Sequence, residues 1–217
     1  LMVMFILMIV GIIYVEQGQR RIPIQFAKRV RGRKVMGGQS TYIPLKVNSA
    51  GVIPVIFATS ILFFPALVAT SLPQDNNITA AIRNWIDINL ANSQGTTWFY
   101  VFFLGILIIF FTYFYTTIQF DPVRQSDMIR RQGGFIPGVR PGISTTNYLS
   151  HIINRITLPG SVFLASVAVL PSIASVIWDI PLGFSGISIL ITVGVALETM
   201  KQIESQLSMR NYEGFID

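Results

Sequence analysis

The chain has 217 residues, of which 52% are hydrophobic and only 12% charged, and it contains no cysteine. A soluble domain of this size carries about 25% charged residues, so composition argues against a water-soluble globule, and the missing cysteines exclude a disulfide framework or a thiolate metal site. The net charge of +6 is concentrated in a few loops, which points to a membrane surface or an acidic partner rather than to a nucleic-acid-binding domain.

Five apolar segments follow one another, at residues 1–15, 48–72, 98–120, 156–178 and 182–200. A helix needs about 20 apolar residues to cross a ~30 Å hydrocarbon core, and helices are the default where lipid leaves no partner for the backbone. The alternative, a barrel of ~10-residue alternating strands, has no counterpart in the sequence. The first segment is short. It is not a signal peptide, whose basic residues precede the apolar run; here they follow it. The expectation is a chain that starts inside a transmembrane helix, as a fragment or one half of a split protein.

The loops give the orientation. The first, residues 16–47, carries Arg20, Arg21, Lys28, Arg29, Arg31, Arg33, Lys34 and Lys46 against Glu16 alone. The second, residues 73–97, has Arg83 against Asp75 and Asp87. The third, residues 121–155, has Arg124, Arg130, Arg131, Arg140 and Arg155, and the tail, residues 201–217, has Lys201 and Arg210. Basic-rich and basic-poor loops alternate, so the first loop, the third loop and the tail are expected in the cytoplasm.

The spans differ in character. The third is greasy throughout and is expected to face lipid, with Trp98, Phe99 and Tyr100 at one interface and Tyr113, Phe114 and Tyr115 near the other. The fourth carries Gly160, Ser161, Ala165, Ser166 and Ala168, small residues that let helices approach closely. The second carries Asn48, Ser49, Thr59, Ser60, Thr70, Pro54 and Pro65. It suits either a helix buried among others or one that lines an aqueous path, its proline-freed carbonyls needing partners. An odd number of spans implies that a repeat of the unit in the same chain would enter inverted, an arrangement that builds a site at the bilayer midplane.

Catalytic signatures are absent: no H-E-x-x-H, no phosphate loop, no G-x-S-x-G. His151 stands alone in a loop, and no span has an acid at its centre, which counts against aspartyl proteolysis and an ion-coupled transporter. Glu198 is placed at a span end, expected to pair with Lys201. The first loop holds more basic residues than topology requires, and Arg140 sits in a Gly/Pro frame, Gly133-Gly134-Phe135-Ile136-Pro137-Gly138-Val139-Arg140-Pro141-Gly142, that cannot stay helical. Both features suit docking of an acidic surface, ribosomal RNA or protein.

The order of motifs carries a resemblance. Glu16-Gln17-Gly18-Gln19-Arg20-Arg21-Ile22-Pro23 opens the first loop, Gly38-Gln39-Ser40-Thr41-Tyr42-Ile43-Pro44-Leu45-Lys46-Val47-Asn48 closes it, and Ala50-Gly51-Val52-Ile53-Pro54 begins the second span. With the Arg140 run and Gln202-Ile203-Glu204-Ser205-Gln206-Leu207 in the tail, this set resembles the C-terminal half of bacterial SecY, its sixth to tenth transmembrane helices, over essentially the whole chain. The resemblance implies an all-α membrane protein, with five transmembrane helices forming one half of an inverted-repeat ten-helix channel that passes unfolded secretory chains and releases hydrophobic helices sideways into lipid. It implies as partners the N-terminal half, SecE, SecG, the SecA motor ATPase, the ribosome, a signal sequence or nascent polypeptide, and membrane lipid, with no cofactor, no metal and no enzymatic activity of its own. It makes the second span a lateral-gate helix, represented by Asn48, Pro54, Ser60 and Phe64. It places Ile56 and Ile191 in a pore ring with Ile53 close by, and gives partner docking to Arg20, Arg21, Lys28, Arg29, Arg31, Arg33, Lys34 and Arg140. Spacing agrees for part of this, because Ile53, Ile56, Ser60 and Phe64 share one helix face.

Overall fold

In a computed structural model of the chain, the residues described are 2–26, 29–31, 34–36, 40–71, 77–90, 97–178 and 185–213. They form α1 (Met2–Gln17), β1 (Gln19–Phe26), β2 (Arg29–Arg31), β3 (Lys34–Met36), β4 (Ser40–Lys46), α2 (Ile53–Ser71), α3 (Asn77–Asn89), α4 (Trp98–Gln119), α5 (Pro122–Arg131), β5 (Gly134–Phe135), α6 (Ile143–Trp178) and α7 (Gly186–Glu213). Among them α2, α4, α6 and α7 are long and apolar enough to cross a membrane. The fifth apolar helix, α1, has 16 residues, about 24 Å at 1.5 Å per residue, less than the hydrocarbon thickness.

The membrane core is built around contacts of α4 with α6 and α2. Leu104 and Ile108 of α4, Val55, Ala58 and Leu62 of α2, and Leu164, Ala165 and Ala168 of α6 bury one another, with Met8 and Ile12 of α1 and Ile189 and Leu190 of α7 closing the sides. This corrects the expectation for the third span. Val101, Leu104, Ile108, Thr112 and Thr116 put one face of α4 inside the bundle, and only the opposite face, Phe102, Ile106, Phe110, Phe114 and Ile118, is exposed. A hydropathy plot cannot separate the two faces, because both are apolar.

The small residues of α6 act as their size suggests. Ser161, Ala165 and Ala168 are buried, while Ser166 is exposed. A Cβ on Gly160 would stand 2.7 Å from the Val47 carbonyl oxygen, so α6 crosses the end of the first loop at backbone contact. Pro171 cannot donate to the carbonyl four residues back, which is that of Val167. That oxygen lies against Gly186 at the start of α7, where a Cβ would collide with it.

The loops hold structure that composition did not announce. β1 and β4 pair antiparallel from Gln19↔Lys46 to Gln25↔Ser40, and β5 from the third loop adds to β1 at Gln25↔Phe135 and Phe26↔Gly134. The order is β4-β1-β5, beside a separate β2-β3 ribbon. Pro23 and Pro44 lack a ladder donor and are tolerated at unpaired edges; β5 stops short of Pro23, and β4 is an edge strand. Ile22, Ile24 and Leu45 turn inward onto Ile129 of α5, Ile136, and Leu149 and Ile152 of α6, forming a second hydrophobic core. The chain is therefore all-α within its membrane spans and carries a small mixed module outside them.

Two helices run beyond the apolar segments read from the sequence. The fourth span was read as 156–178, yet α6 runs 36 residues from Ile143, about 54 Å, and its first turns belong to the module. Arg155 and the polar residues before it interrupt the apolar run but not the helix, which starts only after Gly142 at φ 110°. The fifth span, read as 182–200, likewise continues as α7 through the tail to Glu213. On that stretch Glu198 and Lys201 are exposed and do not pair. The ion pairs among the described residues are Arg83–Asp87 at 3.8 Å and Arg124–Asp121 at 3.9 Å.

Candidate functional site

Two surfaces are candidates, an apolar one on the bundle and a basic one on the module. On α2, Pro54, Val55, Ala58, Leu62, Ala66 and Ala69 are buried, and Ile53, Ile56, Ser60 and Phe64 are exposed. The face read from spacing thus points away from the bundle, with Ile53 and Ile56 at 37% and 44% exposure. Ile191 on α7 is partly exposed. A Cβ on Gly194 would lie 4.0 Å from Val52, which fixes the relative height of the two helices. Ile56 lies four residues beyond Val52 and Ile191 three before Gly194. In antiparallel segments each is one turn from that contact in the same direction. The two isoleucines therefore stand at one depth, on the side of the contact away from the module.

The gate set needs revision. The second span was expected over 48–72, but α2 begins at Ile53, and Asn48 lies before it in a buried bend. Pro54 is buried, whereas Ser60 and Phe64 are exposed. The polarity of the helix is also satisfied internally. The Thr59 hydroxyl donates to the Val55 and Ile56 carbonyls, that of Ser60 to Ile56 at 2.8 Å, and that of Thr70 to Leu67 at 2.7 Å. Polar composition alone therefore does not require a water-lined path here.

Asn48 has a different role. Its Nδ2 donates to Glu16 Oε2 at 2.9 Å and to the Gly51 carbonyl at 3.3 Å, which ties the end of α1 to the start of α2. Its Oδ1 is buried without a partner. Replacing Asn48 with Ala strips a half-buried carboxylate of its donor. Removing one partner of a buried pair costs about 1–3 kcal/mol, so Asn48→Ala in the complete protein is expected to lower the thermal midpoint in detergent, whereas an unchanged midpoint would remove the tie. Sequence reasoning missed this contact, although Glu16 was the lone acid of the first loop.

On the module, Arg20, Arg21 and Lys46 are exposed on the sheet, as are Arg124, Arg130, Arg131, Arg140 and Arg155 around it. Of these only Arg124 has an ion pair among the described residues. Arg140 stands in an ordered turn. Gly138 and Gly142 flank it at φ 83° and 110°, and its carbonyl accepts from the buried Thr145 hydroxyl at 3.0 Å. Ser126 of α5 donates to the Gly142 carbonyl at 3.1 Å. β5 joins the third loop to β1 of the first, so both basic loops lie on one side of the spans. Arg29, Arg31 and Lys34 fall on the β2-β3 ribbon; Lys28 and Arg33 lie outside the described residues. No group of metal-ligating side chains occurs among the described residues.

This architecture defines a class, a multi-pass membrane protein with a folded basic module on one face. A family model described as SecY matches residues 1–200, and the chain belongs to the SecY family. The protein translocase subunit SecY of Streptomyces scabiei is 52% identical over 217 residues, covering 97% of this chain and 47% of that protein. The subunit of the same name from Mycobacterium tuberculosis strain H37Rv is 47% identical, covering 97% and 49%. The chain thus spans about half the length of the curated relatives it matches, and corresponds to the C-terminal half. A solved structure of a protein-conducting channel superposes on the whole chain with a TM-score of 0.62 at 18% identity, covering 51% of that structure. A second, from work on the SecY plug domain, gives 0.59 at 20%, covering 52%. At these identities the two structures report on fold alone.

Proposed function

We propose that this chain supplies one half of the pore and lateral gate of a protein-conducting channel that moves unfolded secretory polypeptides across the membrane and releases transmembrane segments into lipid. The curated relatives are named translocase subunits. The observation that carries the reading is the exposure of Ile53 and Ile56, at the level of Ile191, on the side of the bundle left open for another half. A narrow apolar ring dewets and blocks ions, while flexible aliphatic side chains can close around many polypeptides. Ser60 and Phe64 continue the open face of α2 and form its gate-helix surface.

The basic module is the cytoplasmic docking platform for a motor ATPase such as SecA or for the ribosome, and SecE and SecG are the companion membrane subunits. Its sidedness is supported by the alternation of basic and basic-poor loops. Work is supplied by the partners, and the chain itself is not an enzyme.

The test is electrical. In the complete channel reconstituted in planar bilayers, Ile56→Asn and Ile191→Asn should each raise resting ion conductance. A loss of about 1.4 kcal/mol from the dewetting barrier corresponds to about a tenfold rise in flux. Resting conductance equal to that of the parent in both variants would remove both residues from the constriction.

A further inference from the structure

The helix α3, between the second and third apolar spans, is amphipathic in an inverted sense. On a 100° wheel, Ala81, Ile82, Trp85 and Ile88 fall on one side, and all four are exposed, with Trp85 at 53%. The ion pair of the helix, Arg83–Asp87, lies on the other side, and its side chains are only 28% and 30% exposed. A helix in water turns its apolar stripe to the core; this one turns its charges toward the body of the protein and its isoleucines and tryptophan away.

Its position is fixed by two contacts. The Thr97 hydroxyl donates to the Ile88 carbonyl at 2.8 Å, and Trp85 meets Phe99 edge-on with ring centroids 5.8 Å apart. Trp85 is therefore at the height of the first turn of α4, where that span begins at Trp98. Phe99 stacks on Phe103 at 6.0 Å, and beyond it the exposed face of α4 runs through Phe102, Ile106 and Phe110. From Phe99 to Phe114 that face is bulky and lacks small residues. Helix–helix contacts in membranes favour Gly, Ala, Ser and Thr, so a stripe of this kind suits acyl chains. The outward face of α3 meets it where Trp85 touches Phe99.

We propose that α3 is an interfacial anchor, lying in the lipid headgroup region on the side away from the basic module, with Ala81, Ile82, Trp85 and Ile88 turned into the acyl boundary. A large aromatic ring at the interface and a charged pair facing the other way suit a helix resting in the interface plane. The anchor sets the depth at which α2 ends and α4 begins. It does not depend on the pore assignment.

The chain has no cysteine of its own, so single spin labels are clean probes once any cysteine in the remaining half is replaced by serine. Ile82→Cys, Ile88→Cys and Asn84→Cys are labelled in the complete channel and reconstituted into vesicles of phosphatidylethanolamine and phosphatidylglycerol. Collisional accessibility to oxygen, which concentrates in lipid, is compared with accessibility to a water-soluble nickel chelate. The oxygen-to-nickel ratio should be several-fold higher at 82 and 88 than at 84, which is exposed on the polar flank. Equal ratios at 82 and 84 would place the helix in water and overturn the anchor. Labels at 82 and 88 shielded from both reagents would mean that protein covers this face, and would overturn it equally.

Discussion

Gly160→Leu in the complete channel is expected to prevent accumulation of folded protein, and Gly160→Ala to destabilise it by about 3 kcal/mol, the upper end for overpacking a well-packed site. The reason is the identity of the neighbour. A Cβ at position 160 would come within 2.7 Å of the Val47 carbonyl oxygen, and that peptide cannot move aside freely. The N–H of the same residue, one peptide earlier, donates to the Gly18 carbonyl at 2.9 Å and pins Val47 at the point where β1 and β4 meet the bundle. Displacing α6 instead would open the contact of Leu164, Ala165 and Ala168 with α4. Gly105→Ala is the matched control, because its Cβ would find only Val169 Cγ2, at 3.9 Å, an ordinary contact. Thermal midpoints and monodispersity in detergent would decide. If Gly160→Ala were as stable as Gly105→Ala, the close crossing of α6 over Val47 would be wrong.

The membrane part of this fold was legible because its signal is physical and long. Runs of about twenty residues without charge have few structural options, and basic loops mark a side. What stayed hidden was smaller or was masked by something louder. The alternation Ile22, Ile24 on β1 and Ile43, Leu45 on β4 is present, but Pro23 and Pro44 argue against strands, and the pairing joins residues up to 27 apart in sequence, Gln19 to Lys46. The first turns of α6 read as loop because Arg155 ends the apolar run, although an arginine costs a helix nothing. α3 had clear helical spacing in Ile82, Trp85 and Ile86, yet lay in a loop read only for its charge. Among the candidate site residues, Ile53, Ile56, Ser60 and Phe64 share a face by period, and all four are exposed. Asn48 and Pro54 carried no such spacing signal, since composition gives neither where a helix begins nor which way it turns.

Arg140→Glu should abolish or severely reduce motor-driven translocation while leaving the fold intact. The side chain is exposed and has no ion pair among the described residues, so its loss removes no internal contact, and such surface changes usually stay within about 0.5 kcal/mol. The position is nonetheless expensive to build. Two glycines with positive φ flank it, Thr145 is buried to cap its carbonyl, and Ser126 reaches from α5 to hold Gly142. On the docking reading proposed above, the backbone that carries the arginine is already ordered, which lowers the cost of seating an acidic partner there. Reversing the charge converts attraction into repulsion, and truncating one member of a desolvated charge pair alone costs about 2–5 kcal/mol, or roughly 30-fold or more in affinity. Arg140→Lys should retain part of the activity, because it keeps the charge but loses the planar fork. Translocation of a secretory precursor into vesicles, measured beside the thermal midpoint of each variant, separates the cases. Parent-level translocation by Arg140→Glu would leave the ordered turn as a structural cap for α6 and would move docking to Arg20 and Arg21 on the sheet.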